Sequence, residues 1–249
     1  MTAKEELRAL AAQFFKRLEE SGEEFVFAPR TVIMTAAPAA LESGTGLALP
    51  GESLEQFGLR ISGCTRCRLH ESRTNFVFGS GDPDADLMFV GEGPGAEEDR
   101  QGLPFVGASG QLLTRIIAAI GFSRAEVYIA NLVKCRPPGN RDPEADEIDA
   151  CRGYLLTQIK MIRPKVLVTL GRFSAGYFHV REGAPMKELR GVVGDYHGVK
   201  VVSTYHPAAL LRNPGWKKMT WEDMLLARRI YDQQGGKPSS GEVYQPGRK

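Results

Sequence analysis

The apolar residues of this chain fall into short continuous runs and into stripes with helical spacing. The short runs cover residues 86–90, 127–131, 166–171 and 200–204, and such runs are typical of strands that are buried on both faces. The stripes cover residues 109–120, 143–162 and 217–232, and a further short helix is predicted after the third strand. Strands and helices therefore alternate, which predicts an α/β fold with a mostly parallel four-stranded central sheet and helices on both faces.

The two ends of the chain have different patterns. An amphipathic helix that must dock on another element is predicted over residues 3–20, where apolar residues recur at helical spacing. Residues 27–52 are rich in Ala, Pro, Gly and Thr and are predicted to be a linker. We therefore expect an N-terminal helix and linker over 1–53, a folded domain over 54–234 and a flexible tail over 235–249.

Composition and charge narrow the function classes. The 249 residues include 32 Lys and Arg against 30 Asp and Glu, so the formal net charge is only +2. A nucleic-acid partner would therefore have to be met by a local basic patch. There is no apolar run of about 18 residues, so no membrane contact is expected. Glu5 and Glu6 stand where a signal peptide would be basic, so we expect a cytoplasmic protein.

Ligands of open α/β sheets bind at the carboxyl ends of the strands. Three segments follow predicted strands in this chain: the glycine-rich residues 91–95, Asn131, and His206 with Pro207. The glycine segment is not a G-x-G-x-x-G fingerprint and has no P-loop lysine, which argues against nucleoside-triphosphate chemistry. These three loops are therefore the predicted site.

The four cysteines form a second candidate site. Cys64 and Cys67 make a C-x2-C pair, and Cys135 and Cys151 follow much later. A C-x2-C loop can turn both thiolates towards one metal, and the wide second pair fits a cluster that bridges two segments better than it fits zinc. Two alternatives stay open: a redox-active Cys64–Cys67 pair, and thiols with no shared function.

Several motifs occur in order beside these cysteines. They are GEGPG at 91–95, GLPFVG at 102–107, NLVKCRPPGN at 131–140 and HPAALLRNP at 206–214. Together they resemble the family 4 uracil-DNA glycosylases, over residues 55–232. The resemblance implies a monofunctional uracil-DNA glycosylase of base excision repair. Such an enzyme flips uracil from single- or double-stranded DNA and hydrolyses its N-glycosidic bond, leaving an abasic site.

The resemblance implies roles for the strand-end residues. His206 is expected to donate a hydrogen bond, as a neutral imidazole, to the negative charge that develops on the leaving base. Asn131 is expected to read the uracil edge, which has the opposite donor and acceptor pattern to cytosine. Phe105 is expected to stack on the extruded base, and Gly91 and Gly93 to let the backbone approach it.

The first loop also carries the candidate for activation of the attacking water. The best-known uracil glycosylases have an aspartate in the first loop, and here that place is occupied by Gly93, preceded by Glu92. We expect Glu92 to act by base or electrostatic action on the water or the charged sugar. Glu98 is expected to block a thymine methyl group or to shape the pocket.

Contacts with DNA are expected from the loop after His206. Leu210 and Leu211 are candidates for an apolar wedge that fills the hole left by the base, and Arg212 suits a phosphate contact. The DNA-binding set also includes Asn140, and a second basic group is formed by Lys134, Arg136 and Arg141.

The resemblance also assigns the cysteines and the partners. Cys64, Cys67, Cys135 and Cys151 would hold a four-iron–four-sulfur cluster with a structural role, and the enzyme is expected to be a monomer that acts on uracil-containing DNA. Two other functions remain as alternatives: a protein that binds uracil-DNA without turnover, and an iron–sulfur redox module. The second alternative would leave His206 and Asn131 without a purpose.

Overall fold

A computed structural model describes residues 2–19, 34–35, 47–179, 181 and 183–244. The helices are α1 (Ala3–Glu19), α2 (Leu54–Ile61), α3 (Ala96–Gln101), α4 (Ala108–Ala119), α5 (Ala145–Ile162), α6 (Arg172–His179), α7 (Met186–Leu189), α8 (Pro207–Arg212) and α9 (Trp216–Gln233). The strands are β1 (Met34–Thr35), β2 (Ser80–Gly81), β3 (Leu87–Gly91), β4 (Tyr128–Asn131), β5 (Val166–Leu170), β6 (Val193–Tyr196) and β7 (Val199–Thr204).

The described strands form one sheet with the order β1-β6-β7-β5-β3-β4-β2. Its four central strands, β7, β5, β3 and β4, are parallel, which confirms the predicted four-stranded core. The sheet is nevertheless wider and mixed, because β6 and β2 pair antiparallel with its two sides and β1 extends the β6 edge. Gly91 pairs with Asn131 across β3 and β4, so the two predicted site segments leave the sheet side by side.

Helices cover both faces of the sheet, as predicted. All five residues of β3 are buried, and alternate side chains enter opposite layers. Leu87 and Phe89 pack with residues of α1, α4 and α9, whereas Met88 and Val90 pack with residues of α5 and α6. Burial on both faces explains why the strand appears in the sequence as one unbroken apolar run.

The N-terminal helix docks on the domain. Phe14 and Phe15 of α1 are each 1% exposed, and the Phe15 ring lies 4.8 Å from Trp221 and 4.5 Å from Tyr244, measured between ring centres. Helix α1 therefore packs into the same core as residues 54–234, although the predicted domain boundary lies at residue 53. Most of the predicted linker lies outside the described residues.

Part of the predicted flexible tail packs on the domain. Backbone amides of Lys237 and Ser240 donate to carboxylates at 2.9 Å and 2.6 Å, and the amide of Tyr244 donates to the Ala119 carbonyl at 2.8 Å. Val243 and Tyr244 also pack against the main core, but the segment has too few apolar residues for its composition to predict this docking. Residues 245–249 of the tail lie outside the described residues. Among the described helices, none has the length and apolar character needed to cross a bilayer.

Candidate active site

The loops that follow the parallel strands meet in one cleft of about 650 Å³. Since parallel strands end at the same edge of a sheet, the residues after β3, β4 and β7 are brought together there. Eight of the predicted site residues line the cleft: Glu92, Gly93, Glu98, Phe105, Asn131, Asn140, His206 and Arg212. The convergence of the three loops, predicted from the sequence, is therefore observed.

Close packing at the floor of the cleft requires glycine at two positions. A Cβ atom on Gly91 would lie 2.4 Å from Asn131 Oδ1 and 2.5 Å from the Phe105 ring. A Cβ atom on Gly93 would lie 2.7 Å from a methyl group of Val133. Any larger residue at either position would push Asn131 or its neighbours away from the cleft.

Asn131 has an unsatisfied acceptor. The residue is 1% exposed, and its Oδ1 atom has no hydrogen-bond partner in the structure. A buried polar atom without a partner costs about 1–3 kcal/mol. An N–H group of a ligand in the cleft would satisfy it.

Phe105 is held in a strained conformation. Its φ angle is 53°, in a region that residues other than glycine rarely occupy, and its ring centre lies 5.5 Å from that of His206. Two charged side chains fix the loop, the buried Glu98 and the half-buried Arg124. Glu98 Oε1 accepts from the amides of Val106 and Gly107, both at 2.9 Å. Arg124 donates to the Phe105 carbonyl at 3.0 Å and to the preceding carbonyl at 2.9 Å.

His206 is oriented by the helix that it starts. It is the N-cap of α8, and its Nδ1 atom accepts from the amide of Ala208 at 3.2 Å. Burial, together with the charge of Arg212, lowers the pKa of His206 to about 4. The ring is therefore neutral at pH 7, and because Nδ1 accepts, the proton is on Nε2, which can donate. Gly171, with a φ of 93°, makes room for this ring, since a Cβ atom there would lie 3.0 Å from the His206 Cβ.

Glu92 is the carboxylate of the cleft whose pKa is strongly shifted. Burial raises its pKa to about 7, and the charge of Asp142 adds to this while that of Arg172 opposes it. Asp142 and Arg172 form an ion pair with each other at the mouth of the cleft. Glu92 is therefore partly ionised at neutral pH, as is useful in a group that exchanges protons.

The four cysteines come together away from this cleft. Cys64, Cys67, Cys135 and Cys151 line one small cavity, although they come from three separate segments of the chain. Burial raises the pKa of the Cys67 and Cys135 thiols and raises that of Cys151 to about 12. In the described part of the chain, no group of three or more His, Cys, Asp or Glu side chains is arranged to hold a metal ion.

The surroundings of the sulfurs suit an anionic, thiolate-ligated group. Hydrogen-bond donors approach the sulfur atoms, including the backbone of Leu69 at Cys67. Tyr154 donates to Cys64 Sγ at 3.1 Å, an Arg73 N–H to Cys135 Sγ at 3.2 Å, and the amide of Lys134 to Cys151 Sγ at 3.3 Å. Hydrogen bonds to cysteine sulfur are among the features that tune iron–sulfur clusters. An all-thiolate donor set with such bonds therefore fits an iron–sulfur cluster.

Comparison with known proteins agrees with the geometry. The model of the uracil DNA glycosylase superfamily matches residues 78–226. The type-4 uracil-DNA glycosylase of Sulfurisphaera tokodaii is 47% identical over 187 residues, which cover 72% of this chain and 85% of the relative. The corresponding protein of Thermotoga maritima is 43% identical over 187 residues, which cover 74% of this chain and 97% of the relative. The chain belongs to the type-4 uracil-DNA glycosylases.

Within this glycosylase, two predicted DNA contacts are wrong. Leu210 is 0% exposed and packs in the main core, because α8 turns it inwards. Leu211, the next residue, is 41% exposed and remains the candidate wedge. Lys134 is also 0% exposed. Its ammonium group donates to the Asn131 carbonyl at 3.0 Å and to Gln158 at 2.5 Å, so it cannot contact a phosphate.

The sequence also missed residues that shape the glycosylase site. Arg124 holds the Phe105 loop, and the pair of Asp142 and Arg172 sets the charge around Glu92. Each of these residues lies in an ordinary polar stretch, so no local signal marks it. Asp142 alone has a neighbouring signal, since it lies two residues after the motif at 131–140.

Proposed function

We propose that this chain is a monofunctional uracil-DNA glycosylase that binds an extruded deoxyuridine in the cleft and hydrolyses its N-glycosidic bond. The observation that supports this best is the buried, unsatisfied Oδ1 atom of Asn131, which lies in a cleft lined also by Phe105 and His206. Uracil offers an N3–H donor to that acceptor and an O4 acceptor to the amide NH₂. Cytosine has the opposite pattern and would leave these groups unpaired.

The leaving base takes up negative charge as the bond between N1 and C1′ breaks. The Nε2–H of neutral His206 donates to uracil O2, where part of that charge accumulates. Phe105 stacks on the base, and its strained backbone keeps the ring in position before substrate arrives. Uracil leaves as an anion and is later protonated by solvent.

The water step uses Glu92. Its carboxylate takes a proton from the water that attacks C1′, while its negative charge stabilises the cationic character of the sugar. A new C1′–O bond then replaces the C1′–N1 bond, and an abasic site remains. No lysine nucleophile is needed, so no lyase step follows.

Cys64, Cys67, Cys135 and Cys151 would hold a four-iron–four-sulfur cluster. When bound, the cluster supplies a covalent connection between the 64–67 loop and the 135–151 segment. Leu211, Arg212 and Asn140 lie at exposed positions suited to DNA contact. The proposal includes a cytoplasmic monomer that acts on uracil-containing DNA.

The direct test uses single- and double-stranded oligonucleotides that contain one uracil, followed by alkali cleavage of abasic sites. Matched thymine oligonucleotides are the control and should stay intact. His206→Ala should lower the rate by about 10²-fold or more, the scale of one lost transition-state donor. Tight binding with no strand cleavage would instead support a uracil-DNA-binding protein without turnover.

The cluster has a separate test. The purified protein should absorb near ~400 nm, and Cys151→Ser should remove that absorbance together with part of the iron. A colourless protein with one zinc per chain would contradict the cluster assignment. Absorbance without any binding of uracil-DNA would favour the redox alternative.

A further inference from the structure

An aromatic pair stands at the rim of the cleft, outside every motif that the sequence analysis used. Trp216 begins α9 and is 37% exposed. Its ring is stacked on Tyr205, with ring centres 4.6 Å apart and planes inclined by 24°. Both residues line the cleft together with His206 and Arg212. A large exposed aromatic ring at the edge of a ligand cleft is a candidate contact surface.

The turn between α8 and α9 fixes the position of Trp216. The amide of Trp216 donates to the Asn213 carbonyl at 3.1 Å, and the amide of Asn213 donates to the Ala209 carbonyl at 2.8 Å. These bonds tie the first residue of α9 to the body of α8. Trp216 is therefore held at a set place relative to His206, which starts α8.

Tyr205 is supported by a buried ion pair. The Arg190 guanidinium lies 5.7 Å from the centre of the Tyr205 ring, and Arg190 Nε donates to Asp223 Oδ2 at 3.0 Å. The same Asp223 oxygen accepts from Thr204 at 2.9 Å, at the end of β7. The platform of Tyr205 and Trp216 is thus rigid before any ligand binds, which lowers the entropy cost of stacking on it.

The position of the Tyr205–Trp216 platform at the rim of the cleft limits which part of a DNA strand can contact it. If the deoxyuridine occupies the cleft, the strand must cross the rim, and the next nucleotide on that strand lies there. Arg212, on the same rim, suits the connecting phosphate. A nucleobase has the flat π-face that an exposed tryptophan binds, and this holds for all four bases.

We propose that Trp216 stacks on the nucleobase adjacent to the extruded deoxyuridine, on the same strand. This inference rests on the proposed function. It predicts a contact that is independent of base identity and that matters most in single-stranded DNA. In a duplex the flanking base stays stacked and paired with its own neighbours, so it gains less from Trp216.

The test measures binding without turnover. The probe is a single-stranded oligonucleotide with one deoxypseudouridine, whose C-glycosidic bond cannot be hydrolysed. Trp216→Ala should weaken binding by about 5- to 150-fold, the range found for base–aromatic stacking. Trp216→Phe, which keeps a smaller ring, should lose much less. Leu59→Ala is the matched control, since Leu59 is a 70% exposed apolar residue that does not line the cleft.

Fluorescence gives a second readout that needs no variant of uncertain folding. The chain has two tryptophans, and Trp221 is 1% exposed, so quenching by the oligonucleotide reports on Trp216. Binding should quench the wild-type protein and should not quench Trp216→Phe. Replacing the flanking nucleotide by an abasic linker, on one side of the uridine and then on the other, should abolish quenching on one side.

The outcomes separate this inference from the proposed function. If the wild-type protein excises uracil but Trp216→Ala binds the probe as tightly as wild type and no quenching occurs, the stacking inference is wrong and the glycosylase proposal stands. Unchanged quenching with both abasic linkers would also refute the flanking-base contact. If the wild-type protein does not excise uracil at all, the proposed function itself fails.

Discussion

The pKa of Glu92 makes a testable prediction about the pH dependence of excision. Burial raises that pKa to about 7, whereas the pKa of His206 is lowered to about 4. Between pH 5 and pH 8 the histidine therefore stays neutral, and Glu92 is the group of this pair that titrates. Glu92→Gln removes the titration while keeping the size and much of the polarity of the side chain.

The magnitude follows from the ionised fraction. With a pKa of about 7, roughly nine tenths of Glu92 is ionised at pH 8 and about one hundredth at pH 5. If the carboxylate is the active form, the wild-type rate should fall by about 90-fold over this range. The rate of Glu92→Gln should be low and nearly independent of pH.

Single-turnover excision of uracil from a single-stranded oligonucleotide is the suitable assay, because it separates chemistry from product release. The ratio of the wild-type rate to the Glu92→Gln rate cancels effects of pH on DNA binding. This ratio should shrink about tenfold per pH unit below pH 7. A constant ratio from pH 5 to pH 8 would show that the Glu92 carboxylate is not the group that limits the reaction.

The same carboxyl affects stability, with a sign that can be checked. Because the folded-state pKa is raised, ionised Glu92 is disfavoured in the folded protein and not in the unfolded one. The penalty is small below the unfolded pKa of 4.5, grows as the pH rises to about 7 and is constant above that. After allowance for partial solvent exposure, Glu92→Gln should stabilise the protein by about 1–2 kcal/mol at pH 8 and little at pH 4.5. Thermal unfolding at the two pH values measures this, and equal shifts at both would contradict it.

Four further substitutions test the geometry of the site. Leu210→Ala should cost about 2–5 kcal/mol of unfolding free energy, because it opens a cavity in the core. Leu211→Ala should leave stability unchanged and slow excision from duplex DNA. Loss of stability in Leu211→Ala with normal excision would contradict the assignment of Leu211 as the wedge. Gly110→Ala should lower uracil excision strongly, since a Cβ atom there would lie 2.0 Å from the Phe105 carbonyl group; wild-type kinetics would show that the loop adapts freely. Arg124→Met should lower kcat/KM for uracil oligonucleotides but change the melting temperature little, because relief of strain at Phe105, about 1–3 kcal/mol, offsets the lost hydrogen bonds. An unchanged kcat/KM would exclude a positioning role for Arg124.

The central sheet was predictable because its strands are buried on both faces. Four unbroken apolar runs identified β3, β4, β5 and β7, and the rule that ligands bind at the carboxyl ends of parallel strands then located the cleft. The edge strands were missed for the opposite reason. Strand β6 contains Gly194 and Asp195, and such residues do not indicate a strand until the neighbouring β7 supplies the pairing.

Side-chain direction in the site could not be predicted from the motifs. Leu210 and Leu211 are identical neighbours in the sequence, and only the course of α8 decides that one enters the core and the other faces solvent. Lys134 is a similar case. Lysine is rarely buried without partners, so a basic residue beside Arg136 is expected on the surface. Here Gln158 and the Asn131 carbonyl accept from its ammonium group and allow it to be buried.

The loop around Phe105 is held in place by its surroundings. A strained backbone persists only where its surroundings hold it. Here two side chains of opposite charge hold the loop, one through its N–H groups and the other through its carbonyl groups. Glu98 accepts from its amides and Arg124 donates to its carbonyls, and burial lowers the pKa of Arg124 while the Glu98 charge opposes that shift. The Phe105 ring therefore stands 5.5 Å from His206 before any base enters. If Phe105 and Asn131 act as proposed, a base does not have to order this ring on binding, and its binding free energy depends on how well its edge pairs with Asn131. We propose that discrimination against cytosine follows from unpaired groups in a rigid slot, because a slot that could relax around the wrong base would lose it.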